Sequence, residues 1–276
     1  MRIRLVASLL GALVMLLAPA AHASEHTATV TLIHGIPYGP SGFDVDVYVD
    51  GDLLVEGFQP KTVTDPVELP AGTHDVEIFQ TGADPATESP AIADSVDVEA
   101  GVDVSVVAHL AVDASPTLNV FANDTSTLEP GQARATVRHA AAEQAVDIIA
   151  DGARLFEGLT NGSEGVTEVP AGEIDVAVVP AGGTEVLLPL EATINLGEGV
   201  NTIVYVVGQL GDGEDSLDFI VQTIAGLHGT PSGVESGLGG LKAAEQEHAA
   251  SLPWTIAAAS IVLVGVGVAV RRVRSG

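Results

Sequence analysis

Eight histidines and 37 acidic residues are the groups of this 276-residue chain that could carry acid–base or metal chemistry. With no cysteine there is no thiolate ligand, no Cys nucleophile and no disulfide framework. His34 is followed by Gly35-Ile36-Pro37 and His139 by Ala140-Ala141-Ala142, so neither flank supplies the second ligand a metal site needs. Both read instead as hydrogen-bonding histidines that hold the fold. His109 has no histidine at the aligned Gly208 or Gln209 and belongs to no repeated site. The chain carries no His-Glu-x-x-His, no P-loop and no Gly-x-Ser-x-Gly, and no Ser, His and Asp spacing suggests a nucleophile with its base. The carboxylates are denser. Asp212, Glu214, Asp215 and Asp218 surround a Gly turn, as calcium-binding oxygens would, but without the spacing or terminal Glu of an EF-hand. The same Asp212-Gly213 suits a hairpin turn. Asp44 and Asp46 alternate with valines and read as the wet face of a strand. Asn123-Asp124-Thr125 and Asn161-Gly162-Ser163 have glycan-acceptor spacing and read as turns. No catalytic residue, resident metal or cofactor is expected.

The elements that position these residues occur twice. Ala28-Thr29-Val30-Thr31-Leu32-Ile33-His34 answers to Ala133-Arg134-Ala135-Thr136-Val137-Arg138-His139. Val45-Asp46-Val47-Tyr48-Val49-Asp50-Gly51 answers to Val146-Asp147-Ile148-Ile149-Ala150-Asp151-Gly152, and Glu56-Gly57 to Glu157-Gly158. Leu69-Pro70-Ala71-Gly72 answers to Val169-Pro170-Ala171-Gly172. A repeat this long is a tandem pair of domains rather than a solenoid. Each copy reads as β: period-two alternation at 45–49 and 146–150, Asp-Gly turns at 50–51 and 151–152, and turn signals between many short strands. Val102–Leu110 and Val200–Leu210 are continuously apolar, as strands buried on both faces are. The expected fold is all-β, two tandem antiparallel β-sandwich (Ig-like) domains at 24–131 and 132–224, plus a C-terminal transmembrane helix.

A first strand ending in His34 or His139, the run 45–51 and the Leu-Pro-Ala-Gly of 69–72 together resemble the DUF4397 family. Its members are tandem, all-β extracellular domains of bacteria without a characterised function. The resemblance covers about 26–224 and implies location and fold; it brings no catalytic residues. The Asp-Gly and Pro-Ala-Gly pieces are also similar to PEGA-type surface domains.

The ends give an address. Arg2 and Arg4, the apolar run Leu5–Leu17 and Ala21-His22-Ala23 form a signal peptide, 1–23, cut between Ala23 and Ser24. Residues 225–250 are rich in Gly and Ser and read as a stalk with a reach of about 25–30 Å. Leu252–Val270 carries no charge and would rise about 28 Å as a helix, enough to cross a bilayer within 251–270; the basic tail 271–276 stays cytoplasmic. Leu252-Pro253-Trp254-Thr255 resembles a sortase signal, but Ile256 stands where Gly belongs, so a membrane helix is favoured over wall attachment. All the acidic residues lie in 24–250 with only Lys61, Arg134, Arg138, Arg154 and Lys242 against them, a balance that excludes nucleic acid. The expected function is a non-enzymatic cell-surface module, single-pass in the cell membrane, meeting an extracellular protein or glycan. The alternatives are a module binding surface polysaccharide or calcium, and then an unrecognised secreted hydrolase.

Overall fold

A computed structural model describes residues 27–39, 43–210 and 216–229, all within one compact unit. The first repeat contributes β1 (Thr27–His34), β2 (Val45–Val49), β3 (Asp52–Phe58), β4 (Val67–Pro70), β5 (Gly72–Gln80), β6 (Ile92–Val98), β7 (Asp103–Leu110) and β8 (Pro116–Ala122). The second contributes β9 (Gln132–Ala141), β10 (Val146–Ala150), β11 (Ala153–Leu159), β12 (Glu164–Pro170), β13 (Gly172–Pro180), β14 (Leu188–Leu196), β15 (Asn201–Gly208) and β16 (Asp218–Ile224). They form four four-stranded sheets, ordered β3-β2-β5-β6 and β4-β1-β7-β8 in the first repeat, β12-β9-β15-β16 and β11-β10-β13-β14 in the second. The described residues contain strands and no helix, so none of them offers a membrane-spanning helix. The signal peptide with Ala23 and Ser24, the span at 251–270, the sorting motif and the basic tail lie outside the described residues.

Local chemistry fixes the register. Asp50 (φ 54°) and Gly51 (φ 83°) both take positive φ, as do Asp151 (49°) and Gly152 (78°), the type I′ geometry that matches the twist of the flanking strands. Each hairpin is pinned from the side as well: the Asp50 carboxylate accepts from Asp75 N, and Asp151 from Asp175 N, both at 2.9 Å. The strands also correct one expectation. The sandwiches are mixed, not purely antiparallel, because β1 runs parallel to β7 and β9 parallel to β15. The first strand of each repeat is the cause: it inserts beside a strand of the same direction rather than closing a hairpin.

Alternation along these central strands explains their continuous burial. Val30, Leu32, Val104, Val106 and Ala108 face a core shared with the β3-β2-β5-β6 sheet, where Val45, Val47, Val76 and Ile78 meet them. Ala135, Val137, Val204 and Val206 face the matching core of the second repeat with Val146, Ile148, Val176 and Val178. The remaining faces close on each other. Ile33, Val107 and Phe121 pack against Ala140, Ile203, Tyr205, Val207 and Ile220 in a third core. The described body is thus four sheets deep, and the central strands of its two middle sheets are buried on both sides because the sister repeat covers them. At Gly35 the approach is so close that a Cβ would lie 2.9 Å from Ala108 O and 3.2 Å from Val207 Cγ1. Beyond β16 the chain stays attached: Leu227 is buried, its carbonyl accepting from Leu128 N and its N–H donating to Gly199 O. The stretch 225–229, expected as the start of the stalk, belongs to the body.

Candidate functional site

The paired histidines end the first strand of each repeat and point into its core. His34 is 2% exposed and its Nε2–H donates to Phe43 O at 3.0 Å; His139 is fully buried and donates to Gln144 O at 2.9 Å. Burial pushes both imidazoles below their ordinary pKa, against the carbonyl hydrogen bonds that favour the proton, so the fold favours their neutral forms. They differ at the other nitrogen. His139 Nδ1 faces Ala141 N at 3.4 Å, whereas His34 Nδ1 has no protein partner. His34 also borders an apolar cavity of about 30 Å³ with Ile36, Phe43, Phe58, Ile92 and Leu118. His109 is buried as well, near enough to His139 for its charge to act on that ring, and its Nε2 lies 2.8 Å from Asn119 Oδ1. The strand registers place Val207, not Gly208 or Gln209, at its position in the second repeat.

Asp46 corrects the sequence reading most directly. It is 8% exposed rather than on a wet face, and accepts from Gly57 N at 2.8 Å, Thr81 Oγ1 at 3.0 Å and Gly82 N at 3.2 Å. Asp147 repeats the arrangement with Gly158 N at 2.7 Å and Gly182 N at 2.9 Å, and adds Arg154 Nη1 at 3.2 Å. Gly57 and Gly158 hold positive φ at the irregular end of each hairpin, which turns their N–H groups onto the carboxylate. The repeated Glu-Gly is therefore half of a latch whose other half is the strand Asp. Burial raises the Asp46 pKa, but the three donors outweigh it and the net shift is downward; for Asp147 the Gly158 and Gly182 amides lead, also downward.

The largest polar feature went unread in the sequence: Arg134 and Arg138, each 1% exposed, between the repeats. Four residues apart on a strand they share a face, with Thr136 between them. Arg134 spends its guanidinium on Asp124 O (2.9 Å), Ser126 O (3.1 Å), Ser126 Oγ (2.9 Å), Glu168 (3.1 Å) and the Asp124 carboxylate (3.2 Å). Arg138 donates to Glu164 at 2.9 Å, Tyr205 Oη at 2.8 Å and Asn123 Oδ1 at 2.8 Å, and lies 4.5 Å above the Phe121 ring. Tyr205 and Ser105 in turn donate to Gln222 Oε1 at 2.6 and 2.9 Å, which joins the network across the third core. At matching positions the two repeats exchange polarity: Ile33 for Arg138, Ser105 for Ile203, His109 for Val207, Asn119 for Ile220, Phe121 for Gln222. The signal available in the sequence was the scarcity of bases, two of which fall on one strand face.

The geometry can now be set beside known proteins. The family model described as "Domain of unknown function (DUF4397)" matches residues 28–148, from β1 into β10. Residues 28–148 are thus similar to the DUF4397 family. No curated protein matches the chain. The DUF4397 match holds His34, the Asp46 latch and the Asp50-Gly51 turn, together with Arg134, Arg138 and His139 at the start of the second repeat. The rest of the second repeat lies beyond the match and repeats the first one's latch at Asp147.

The other anticipated sites separate. Of the acidic loop, Asp212, Glu214 and Asp215 lie outside the described residues, and Asp218 is paired with Lys61 at 2.8 Å. Among the described residues no group of three or more His, Asp or Glu is placed to hold a metal ion. Both glycan-acceptor asparagines work where the two repeats meet. Asn123 Nδ2 donates to Asp103 and Ser105, and Asn161 Nδ2 donates to Leu110 O at 2.8 Å and Ala141 O at 2.6 Å.

Proposed function

We propose that the chain is a non-catalytic cell-surface protein that presents a rigid pair of DUF4397-type sandwiches, exported by residues 1–23 and retained by the apolar segment 252–270. One observation carries the reading: the groups best suited to chemistry are already spent as pins of the fold. His139 is closed in a core, Asp46 and Asp147 are each bound by two backbone amides, and Arg134 and Arg138 tie one repeat to the other. A body so fixed suits presentation at a distance from a membrane, with its excess of carboxylates keeping neighbouring copies apart and favouring cationic partners. Protease shaving of whole cells tests location, since 24–250 should be released while a cytosolic marker survives. Mass spectrometry of the mature chain should begin at Ser24 and continue past Thr255; an end at Thr255 would show wall attachment instead. A hydrolase screen of the purified chain should return no turnover, and turnover abolished by a point substitution would refute the non-catalytic reading.

A further inference from the structure

One histidine of the first repeat has no counterpart in the second, and the place it fills stands open there. His74 on β5 is 7% exposed, with Nδ1 2.7 Å from Asp50 Oδ2 and Nε2 2.7 Å from Pro70 O. Only a ring carrying both protons donates to two acceptors at once, and these acceptors, Pro70 O first, raise its pKa. The registers put Ile174 at this position in the second repeat, since β2 pairs Val49 with Val76 as β10 pairs Ala150 with Val176. The acceptors persist. Asp151 Oδ1 accepts from Asp175 N as Asp50 Oδ1 does from Asp75 N, and among the described residues no donor meets Asp151 Oδ2. Pro170 stands where Pro70 does. The filling is what differs: Val49 and Leu69 give way to the smaller Ala150 and Val169, and Ile174 ends one atom short of an imidazole Nε2 and carries no donor. Between these residues lies a groove of about 370 Å³, walled by Leu155 and Ala171, with Asp151 and Glu173 as the charged residues that line it. That is about twelve water volumes, room for more than the five atoms of one ring.

We infer that this groove of the second repeat receives a histidine side chain of a protein partner. The imidazolium donates to Asp151 Oδ2 and Pro170 O, as His74 does to Asp50 and Pro70, and the partner's chain beside it rests on Ala150, Leu155 and Val169. The two carboxylates favour the charged ring, and the first repeat shows the same pair of acceptors already holding one. No bond is made or broken. The site is independent of how the protein is anchored.

The test titrates the 15N-labelled full chain, at about pH 6 where a histidine is readily charged, with N-acetyl-histidine N-methylamide. The leucine analogue, which has no ring donor, and imidazole alone are titrated separately. The histidine derivative should move the Gly152, Val169 and Ile174 amide resonances saturably, with both other probes at least tenfold weaker. Asp151→Asn keeps an oxygen for Asp175 N and tolerates the positive φ, and should weaken binding at least tenfold. Ile174→His should fill the groove from within and exclude the histidine derivative, while the amides of the first repeat keep their positions in both variants. No saturable change at the three amides, an equal response to the leucine analogue or to imidazole, or undiminished binding in either variant would each overturn the inference.

Discussion

Arg138 keeps its charge away from water because three acceptors and an aromatic face meet it at once. Removing the guanidinium strands Glu164, Tyr205 and Asn123 together, and breaking a buried pair costs about 3 kcal/mol or more. Glu164 keeps 30% exposure, so Arg138→Leu should cost about 2–3 kcal/mol in urea unfolding. Lys61→Ala, which breaks an exposed pair, should cost less than about 1 kcal/mol. The histidines give a pH dependence of two signs. The Pro70 carbonyl and the Asp50 carboxylate raise the His74 pKa, so the stability it supplies is full below the ordinary 6.5 and is lost as pH rises through the raised value. His34 and His139 are shifted down; their contribution is full above 6.5 and is lost as pH falls through their lowered values. Urea midpoints followed on both sides of neutrality should therefore fall in both directions, and His74→Gln should flatten only the alkaline side. At this scale the sequence was legible where two copies could be compared, as for His34 and His139. It was silent on Asp46, whose alternation with valines is the pattern of a solvent-facing residue. Only the bulged glycine, far along the chain, makes that Asp an acceptor of buried amides.

Strands and turns were the most readable level. Asp50-Gly51 and Asp151-Gly152 announce their turns because an L-residue pays to enter positive φ and glycine does not. Gly51→Ala and Gly152→Ala should each destabilise by about 1–2 kcal/mol for that reason, with nothing within 4 Å to add a steric cost. Gly165 in β12 is a different case. A Cβ there would lie 2.5 Å from the Phe156 ring of β11, so Gly165→Ala should cost more than either turn substitution in the same unfolding assay. What could not be read was the direction of pairing. Parallel partners such as β1 and β7 are about 70 residues apart, and their side chains satisfy an antiparallel sandwich equally well. Nor did the apolar character of β7 and β15 say what covers their second face. It signalled only that something does.

For the molecule as a whole, the exchange of polarity between matching positions makes the two repeats complementary rather than interchangeable. Their third core is lined by residues of both copies, and the arginine network ties β8 and its following loop to β9, β12 and β15. Such coupling predicts that neither repeat reaches its full stability without the other. Differential scanning calorimetry of the body tests this most directly. One transition, with calorimetric and van't Hoff enthalpies equal, is the predicted result, and Arg138→Leu should lower its midpoint without dividing it. Two separate transitions in the unaltered protein, or a calorimetric enthalpy near twice the van't Hoff value, would contradict the claim that the duplicated sandwiches are one structural unit.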